Sequence, residues 1–419
     1  MARFGAGPSD DAAIEQAARA LAGGDPLSAL NFVALRDDAA ALALRGIAMA
    51  QLGDYDKASA LLRRAARSFG AKDPAARARC IVAQAEVALA ARDLAWPEET
   101  LTEARATLEK RGDKANAAHA RHLAVRRLLL IGRLDEAERG LARLDPALLP
   151  PALKAVHELV VAGIALKRLR TKPARAALTR AGQSAARSGI PALMHEIEAA
   201  ARELTAPAAK LIARGSETLL TLPEVEALFG SGKLVVDGCR FAVRDGRGAV
   251  ALARRPVLFA LARALAEAWP QDVPREALIA RAFRGKAADE SHRARLRVEI
   301  GRLRAALKSL VEIAATPRGF ALAPRRAKEV VLLARPVEDE HAALLALLAD
   351  GESWSSSALA LALGVSQRAV QRGLDELAAS GKAQSYGRGR ARRWTTPALP
   401  GLMSGFTTSL LLPAAAADA

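Results

Sequence analysis

The chain is poor in cysteine, histidine and aromatic residues. Its 419 residues include 2 cysteines and 6 histidines, and aromatic residues make up 4% of the total. Cys80 and Cys239 form no CxxC pair, so the sequence indicates neither a disulfide framework nor a zinc site, as is typical of a reducing compartment. Because 51% of the residues are nevertheless hydrophobic, the composition favours helices packed through alanine and leucine over a β-sandwich.

Long apolar segments are missing as well. The sequence contains no run of about 18 apolar residues, which a helix needs to cross a bilayer. The first residues, MARFGAGPSDDAA, lack the apolar core of a secretion signal, and Leu410–Pro413 is far too short to span a membrane. We therefore expect a soluble, cytoplasmic protein without a membrane partner.

Motifs that would indicate catalysis are also absent. No GxxxxGK[ST] loop, GxSxG turn or HExxH helix occurs, and Gly230–Lys233 lacks the spacing of a phosphate-binding loop. His119 and His122 lie three residues apart on a predicted helix, but no cysteine or acidic residue completes the spacing of a metal site. We predict that the chain is not an enzyme, has no catalytic residue and binds neither a metal nor a cofactor.

Positive charge is in excess and unevenly distributed. The 62 basic and 45 acidic residues give a net charge of +17. Residues 231–330 contain 21 basic and 10 acidic residues, a net charge of +11, whereas residues 1–230 contain 33 and 27, a net charge of +6. This concentration predicts a polyanionic partner for the middle of the chain. The alternative is a generally arginine-rich composition that implies no partner.

Residues 11 to about 220 are rich in alanine, leucine and arginine and predict a series of helices separated by short breaks. One segment, ALRGIAMAQLGDYDKASALLRRAARSFG, contains the turn sequence GDYDKA between two predicted helices. Its small residues and its tyrosine have the spacing of a tetratricopeptide repeat, which the segment resembles. These positions are Gly46, Gly53, Tyr55, Ala58 and Ala65.

Weaker copies of this segment follow. A second turn contains Gly132, 79 residues after Gly53, which corresponds to two periods of about 40 residues. The helix pair between these turns lacks a clean turn, and a fourth pair is predicted from His157 to Ser188. The resemblance implies a helical-repeat domain over residues 1–225. Such a domain would bind a protein or peptide partner, form a homodimer, or act as a spacer without a ligand.

The pattern changes near residues 222–233. Beyond this break, apolar and polar positions alternate around turns at Asp237-Gly238 and Asp245–Gly248, which predicts two or three short antiparallel strands. Two helices are expected to begin at Pro256 and Pro274. The stretch Ser291–Leu322 then predicts a basic helix followed by a short β-hairpin.

The basic helix has one apolar stripe with arginines on both sides of it. The stripe consists of Leu296, Ile300, Leu303, Leu307 and Leu310. The opposite face carries the small residues Ala294, Val298, Gly301 and Ala305. One flank holds Arg293, Arg297, Arg304 and Lys308, and the other holds Arg295 and Arg302. Such a helix can approach a duplex closely while both rows of arginine reach phosphates. The alternative is a solvated amphipathic helix.

Two segments carry a family resemblance. RVEIGRLRAAL (Arg297–Leu307) and TPRGFAL (Thr316–Leu322) resemble the recognition helix and the hairpin of the OmpR/PhoB-type winged helix, over roughly residues 234–324. The resemblance implies a third helix in the major groove and a hairpin in the minor groove or along the backbone. Glu299 stands where the family often has histidine, the hairpin is short, and no receiver domain precedes it, so activation by phosphorelay is not expected. The resemblance places Arg295, Arg297 and Arg302 on the recognition helix, places Arg318 on the hairpin, and leaves Arg304 to bond within the domain.

The C-terminal part predicts a second helix-turn-helix. Three serines, Ser355–Ser357, offer caps for a short helix that ends at Gly364, and Ser366 caps the next helix. The string ALGVSQRAVQRGLDELAASGK resembles the helix-turn-helix of bacterial winged-helix regulators. Its apolar positions, which are expected to face the core, are Val365, Val370, Leu374 and Leu377.

Arginines and glutamines of this second helix-turn-helix are candidates for DNA contacts, because their side chains pair with guanine and adenine. On the helix after the turn they are Gln367, Arg368, Gln371 and Arg372. In the hairpin that follows, YGRGRARR, they are Arg388, Arg390 and Arg392. The alternative is a winged helix that contacts proteins while its arginines are merely solvated. Trp354 is expected to be a core residue and Trp394 to begin the return strand.

We therefore predict a mainly α fold. A tetratricopeptide-like domain (residues 1–225) precedes two small α+β winged-helix domains (residues 226–325 and 326–419). The expected function is that of a bacterial-type transcriptional regulator that binds specific sequences in double-stranded DNA, with the repeat domain used for sensing or oligomerisation. The rival hypothesis is a protein–protein adaptor whose winged helices dock on protein partners.

Overall fold

The structure, a computed structural model, describes residues 10–94, 96–253, 255–283, 290–336, 341–348, 353–387, 389 and 392–395. These residues are mainly helical with a smaller share of strand, which confirms the predicted fold class at that level. The chain divides into two compact units, one formed by residues 1–201 and 343–419 and the other by residues 202–342. Buried apolar side chains form a core in each unit.

The first unit begins with a succession of helices. They are α1 (Asp10–Ala22), α2 (Pro26–Val33), α3 (Ala39–Gln51), α4 (Tyr55–Phe69), α5 (Pro74–Ala90), α6 (Glu98–Lys110), α7 (Lys114–Leu130), α8 (Leu134–Leu141), α9 (Pro151–Lys167), α10 (Thr171–Ser188) and α11 (Pro191–Arg202). From α1 to α10 each helix packs on the next. Several begin at an aspartate whose carboxylate accepts a hydrogen bond from the N–H three residues later, as at Asp25, Asp54 and Asp113.

The turns between these helices share one backbone geometry. Gly53 and Gly132, both predicted at turns, have φ of +80° and +76°. Arg92 has a φ of +50° and lies 39 residues after Gly53 and 40 before Gly132. There the N–H of Asp93 donates to the carbonyl of Ala88 (2.8 Å), as the residue after each glycine does in its own turn. Arg92 therefore provides the middle turn of the predicted period of about 40 residues.

Close packing of α3 on α4 depends on Gly46. A Cβ at this position would lie 2.8 Å from Cγ of Leu62 and 3.3 Å from the carbonyl oxygen of Ala58. Ala58 and Ala65 are buried on α4. The small residues predicted from the repeat pattern therefore lie at a contact between two helices.

The second unit contains a six-stranded and a three-stranded sheet. In chain order its elements are β1 (Pro207–Ala213), β2 (Ser216–Thr221), α12 (Leu222–Gly230), β3 (Leu234–Asp237), β4 (Ala242–Asp245), β5 (Gly248–Ala251), α13 (Pro256–Ala268), β6 (Val273–Pro274), α14 (Arg275–Phe283), α15 (Glu290–Leu307), β7 (Val311–Ala315), β8 (Gly319–Pro324) and β9 (Val330–Ala334). The strand orders are β2-β1-β9-β3-β4-β5 and β6-β8-β7. All pairs are antiparallel except β3 with β9.

The first strands of this unit differ from the sequence prediction. Helices are predicted up to about residue 220, but residues 207–221 form the hairpin β1–β2, because Arg214 and Gly215 turn the chain with φ of +49° and +81°. The strand β9 joins this hairpin to β3. The large sheet thus extends from β1 to β9, on both sides of the boundaries predicted at residues 225 and 325.

The rest of the unit follows the predicted order of strands, helices and hairpin. The predicted stripe on α15 is confirmed, since its members pack in the core of the unit together with α13 and β7. The buried residues of this stripe are Leu296, Ile300, Leu303, Leu307 and, just beyond the helix, Leu310.

The first unit ends with α16 (Ala342–Leu348), α17 (Ser356–Leu363), α18 (Gln367–Ala379), β10 (Gln384–Tyr386) and β11 (Arg393–Thr395). Ser355 and Ser366 cap α17 and α18 as predicted, and Gly364 between them has a left-handed φ of +65°. The prediction that Val365 faces the core is wrong. This side chain is 48% exposed, because it lies in the turn ahead of α18. The other three predicted positions, Val370, Leu374 and Leu377, are buried.

Replacing Gly46 with valine should destabilise the protein by about 1–3 kcal/mol, because the added atoms overlap Leu62. Gly182 on α10 is the matched control. A Cβ at this position has nothing within 4 Å, so Gly182→Ala should increase the free energy of unfolding by about 0.5–1 kcal/mol. Urea denaturation measures both effects. Equal effects of the two changes would contradict the close contact between α3 and α4.

Candidate nucleic-acid interface

The face of α15 opposite the buried stripe is exposed to solvent. The small residues on this face are all exposed: Ala294, Val298, Gly301 and Ala305. The candidate arginines on its flanks are exposed as well: Arg293, Arg295, Arg297 and Arg302. The structure therefore places the four predicted arginines along the two edges of one exposed helix face.

Two of these arginines lie near carboxylates. Nη1 of Arg302 lies 2.8 Å from Oε1 of Glu299 on the same helix. Nη2 of Arg293 lies 3.6 Å from Oε1 of Glu276 on α14. The Glu276 side chain is exposed, whereas that of Glu299 is 13% exposed. Exposed ion pairs contribute little free energy, so a phosphate can replace Glu276 at low cost.

Residues of α13 and α14 lie next to the arginines of α15. The guanidinium of Arg295 lies 4.6 Å from the centre of the Phe283 ring. Arg255, at the start of α13, lines a depression of about 440 Å³ together with Arg302. Sequence reasoning missed Arg255. Its position directly before Pro256, at the N-terminus of a predicted helix, could have indicated that it lies near α15.

Arg318 lies at the tip of the hairpin β7–β8, and hydrogen bonds from α14 hold this tip. The side chain of Arg318 is largely exposed and approaches Asp272 at 3.8 Å. Nη1 and Nη2 of Arg275 donate to the carbonyls of Pro317 (2.9 Å) and Thr316 (3.2 Å). The tip is therefore fixed by the protein itself, which gives Arg318 a defined position.

The TPRG sequence of this hairpin has a local structural cause. The hydroxyl of Thr316 accepts a hydrogen bond from the N–H of Gly319 (2.9 Å) and donates one to Asp272 (2.6 Å). A Cβ at Gly319 would lie 1.8 Å from the carbonyl oxygen of Val273 on β6. Only glycine fits where β8 passes β6. This glycine is therefore required by the fold and is no evidence for a ligand of the hairpin.

Arg304 is exposed as well, but its side chain is bonded within the unit. Its Nε donates to the carbonyl of Ile313 on β7 (2.8 Å), and its guanidinium lies 5.6 Å from the centre of the Phe320 ring. It therefore fastens α15 to the hairpin, in agreement with the internal role expected for it.

In the first unit, α18 presents Arg368 and Arg372 to solvent. Both side chains are exposed, and neither forms an ion pair with any residue that the structure describes. They lie four residues apart and thus on the same side of the helix. Gln371 beside them is half-buried, and Nε2 of Gln367 donates to the hydroxyl of Ser356 on α17 (3.0 Å).

Two tryptophans anchor the hairpin after α18. Trp354 and Trp394 are buried, as expected for Trp354, and their backbones exchange two hydrogen bonds of 2.8 Å. The guanidinium of Arg392 lies 4.3 Å from the centre of the Trp394 ring and 3.8 Å from Asp375 on α18. Arg392 is therefore held against its own unit. The other two predicted contacts of this hairpin, Arg388 and Arg390, lie outside the described residues.

Many arginines of the repeat helices are paired with carboxylates of a neighbouring helix or turn. This pairing neutralises those arginines within the fold. Examples of such pairs are Arg79 with Asp113 (2.6 Å), Arg127 with Glu98 (2.9 Å) and Arg180 with Glu158 (2.7 Å). Other exposed arginines of these helices, such as Arg67, Arg77 and Arg175, form no ion pair with a described residue, as is also the case on α18.

A buried polar cluster lies between α5, α7 and α9. His119 Nε2 is 3.1 Å from Oε2 of Glu86, and His122 Nε2 is 3.2 Å from Nδ1 of His157. Burial lowers the pKa of His122 to about 3 and also lowers the pKa of His157, so this imidazole pair is neutral at pH 7. Across the described ranges, no three His, Cys, Asp or Glu side chains are arranged to hold a metal ion.

Comparison of the chain with protein-family models, with curated proteins and with solved structures finds no match. The candidate interface therefore rests on the geometry of its own residues. In the part of the chain that the structure describes, no helix has both the length and the apolar character needed to cross a membrane.

The neutral pair of His122 and His157 predicts a dependence of stability on pH. Between pH 6.5, the ordinary histidine value, and about 3, the unfolded chain binds a proton at His122 that the folded chain does not bind. The free energy of unfolding should therefore fall as the pH is lowered through this range, by at most about 1.4 kcal/mol per pH unit from this residue. Urea denaturation at a series of pH values measures it. His122→Gln cannot titrate and should flatten the dependence, and an unchanged dependence in that variant would refute the assignment.

Proposed function

We propose that the chain binds double-stranded DNA and regulates transcription through two winged helices, as bacterial-type regulators do. In the first, residues 234–324, α15 would enter the major groove while the hairpin β7–β8 contacts the backbone or the minor groove. In the second, α18 would be the recognition helix and β10–β11 the hairpin. The order of strands, helices and hairpin in the first segment, and of three helices and a hairpin in the second, supports this proposal.

The observation that carries the proposal is the position of Arg368 and Arg372. They are exposed on one side of a helix that follows a capped, left-handed turn, and they have no carboxylate partner among the described residues. A guanidinium donates two parallel hydrogen bonds to a phosphate or to O6 and N7 of guanine. Lying four residues apart on one side of α18, the two guanidiniums can act together on one anionic ligand.

The exposed face of α15 supports a second contact. Its small residues would let the helix approach the bases closely, and Arg295, Arg297 and Arg302 extend from its flanks. Arg318 on the fixed hairpin tip would reach the adjacent backbone. Phosphate contacts of these side chains would determine affinity and its salt dependence, and base contacts would determine specificity.

For the helices α1–α10 we propose a tetratricopeptide-like array that binds a protein or peptide partner or mediates self-association. The turn geometry shared by Gly53, Arg92 and Gly132 at a period of about 40 residues supports this part of the proposal. Such an array would couple the two DNA-binding segments to a signal or to a second subunit.

A protein–protein adaptor is the second candidate, and the charge of the C-terminal part favours it. Residues 331–419 contain 8 basic and 8 acidic residues, so no net charge attracts DNA to α18 over long distances. Glu276 and Glu299 reduce the positive charge around α15 as well. DNA binding by α18 would therefore depend on short-range contacts of side chains such as Arg368 and Arg372, and replacing these residues removes the contacts.

Replacing Arg368 and Arg372 together with alanine should weaken binding to a selected duplex by roughly tenfold or more, because phosphate or base contacts are lost. Fluorescence anisotropy of the full chain measures the affinity for this duplex and for a random duplex of equal length. A larger loss on the selected duplex indicates base readout, and equal losses indicate phosphate anchoring. Arg180→Ala removes an exposed but paired arginine and should change neither affinity. If the double variant binds as tightly as the wild type, α18 is not a DNA contact.

Replacing Glu299 with glutamine should strengthen binding to random DNA several-fold. The change removes a negative charge from the proposed interface and releases Arg302 to contact a phosphate. The slope of log affinity against log salt concentration should therefore steepen by about one. Glu217→Gln, which breaks an exposed ion pair with Lys210 on the β1–β2 hairpin, is the control. An affinity that stays the same in the Glu299 variant argues against phosphate contacts by α15.

A further inference from the structure

The first helix pair of the repeats has an exposed apolar side. The inner residues of α2, Ala29 and Val33, are buried in the core of the unit. On the outer side, Leu27 is 63% exposed, Phe32 is 41% exposed, and Leu35, in the turn after the helix, is fully exposed. Leu27 and Leu35 are eight residues apart, so they lie about two turns apart on the same side.

The stretch from Pro26 to Leu35 carries no charge, in a sequence in which 26% of the residues are charged. The charged residues Asp25 and Arg36 border it directly. A terminal repeat that contacts only water usually presents a polar outer side. A neutral, apolar surface offers nucleic acids and charged peptides no group to bind, so we expect its partner to be neutral and apolar as well.

We propose that Leu27, Asn31, Phe32 and Leu35 form the contact between two copies of this chain, with the two α2 helices antiparallel about a two-fold axis. A surface that contacts its own copy must complement itself, and an uncharged apolar surface does so without repulsion. Asn31 is exposed midway between Leu27 and Leu35. On the axis it would meet Asn31 of the other copy, and a carboxamide both donates and accepts hydrogen bonds.

The antiparallel arrangement has two further consequences. Leu27 of one copy contacts Leu35 of the other, and the dipoles of the two helices oppose each other favourably. Three large apolar side chains provide less than the approximately 800 Å² per partner that stable dimers bury. The contact therefore predicts a dimer that forms and dissociates with concentration, with a dissociation constant of about micromolar order.

Sedimentation velocity of the full chain, from about 1 to 200 µM and without DNA, tests this contact. We expect a shift from monomer to dimer across that range. Leu27→Gln combined with Leu35→Gln should weaken dimerisation roughly tenfold or more. Leu219→Gln removes a similarly exposed leucine on β2, 55% exposed, and should have no effect. Circular dichroism checks that each variant is folded.

Asn31→Asp tests the register, because it places two carboxylates next to each other on the axis without changing the apolar surface. It should weaken dimerisation roughly tenfold or more as well. A chain that stays monomeric over the whole range, or a dimer unaffected by the change at Leu27 and Leu35, overturns the proposed contact. A dimer unaffected by Asn31→Asp overturns the two-fold register.

Discussion

Burial of the apolar stripe on α15 determines where the basic side chains of the second unit lie. Leu296 and Ile300 are almost fully buried, and each such side chain contributes about 1.5–3 kcal/mol. The exposed pair of Arg293 and Glu276 contributes less than about 1 kcal/mol. The orientation of the helix is therefore set by hydrophobic burial, and the outward position of its arginines follows from it. Because Arg304 bonds α15 to the hairpin, the helix face and the hairpin tip keep a fixed relation without any ligand.

The first unit distributes its arginines differently along its length. In the repeat helices, pairs such as Arg180 with Glu158 satisfy the charge within the fold and connect neighbouring helices. On α18, the buried stripe again fixes the orientation, but Arg368 and Arg372 have no carboxylate partner in the described ranges. Exposed arginines without an ion pair to a described residue also occur on the repeat helices, for example Arg67, Arg77 and Arg175. Arg368 and Arg372 differ from them in lying on one side of the helix that follows a capped, left-handed turn, and the proposal of a DNA partner rests on that position.

Much of this arrangement could be predicted from local sequence, and the rest could not for identifiable reasons. The stripe on α15 and the helix start at Pro256 are local patterns, so the order of elements from β3 to β8 followed from them. The hairpin β1–β2 pairs with β9, more than a hundred residues later, and no local pattern shows such a pairing. Arg92 occupies a turn position where glycine is usual, so the turn of the middle repeat could not be recognised in the sequence. At the site, the outward arginines could be predicted, but the carboxylate beside Arg302 and the stacking of Arg392 on a tryptophan depend on contacts within the folded units.

The two arginine-bearing helices α15 and α18 are each followed by a hairpin, and both are expected to bind the phosphate backbone. The salt dependence of binding tests this most directly. The full chain should bind duplex DNA at about 50 mM salt. The logarithm of its affinity should fall linearly with the logarithm of salt concentration up to about 200 mM, with a slope of roughly −4 or steeper. Binding that is undetectable at the low salt concentration, or an affinity that does not change across this range, would contradict this expectation.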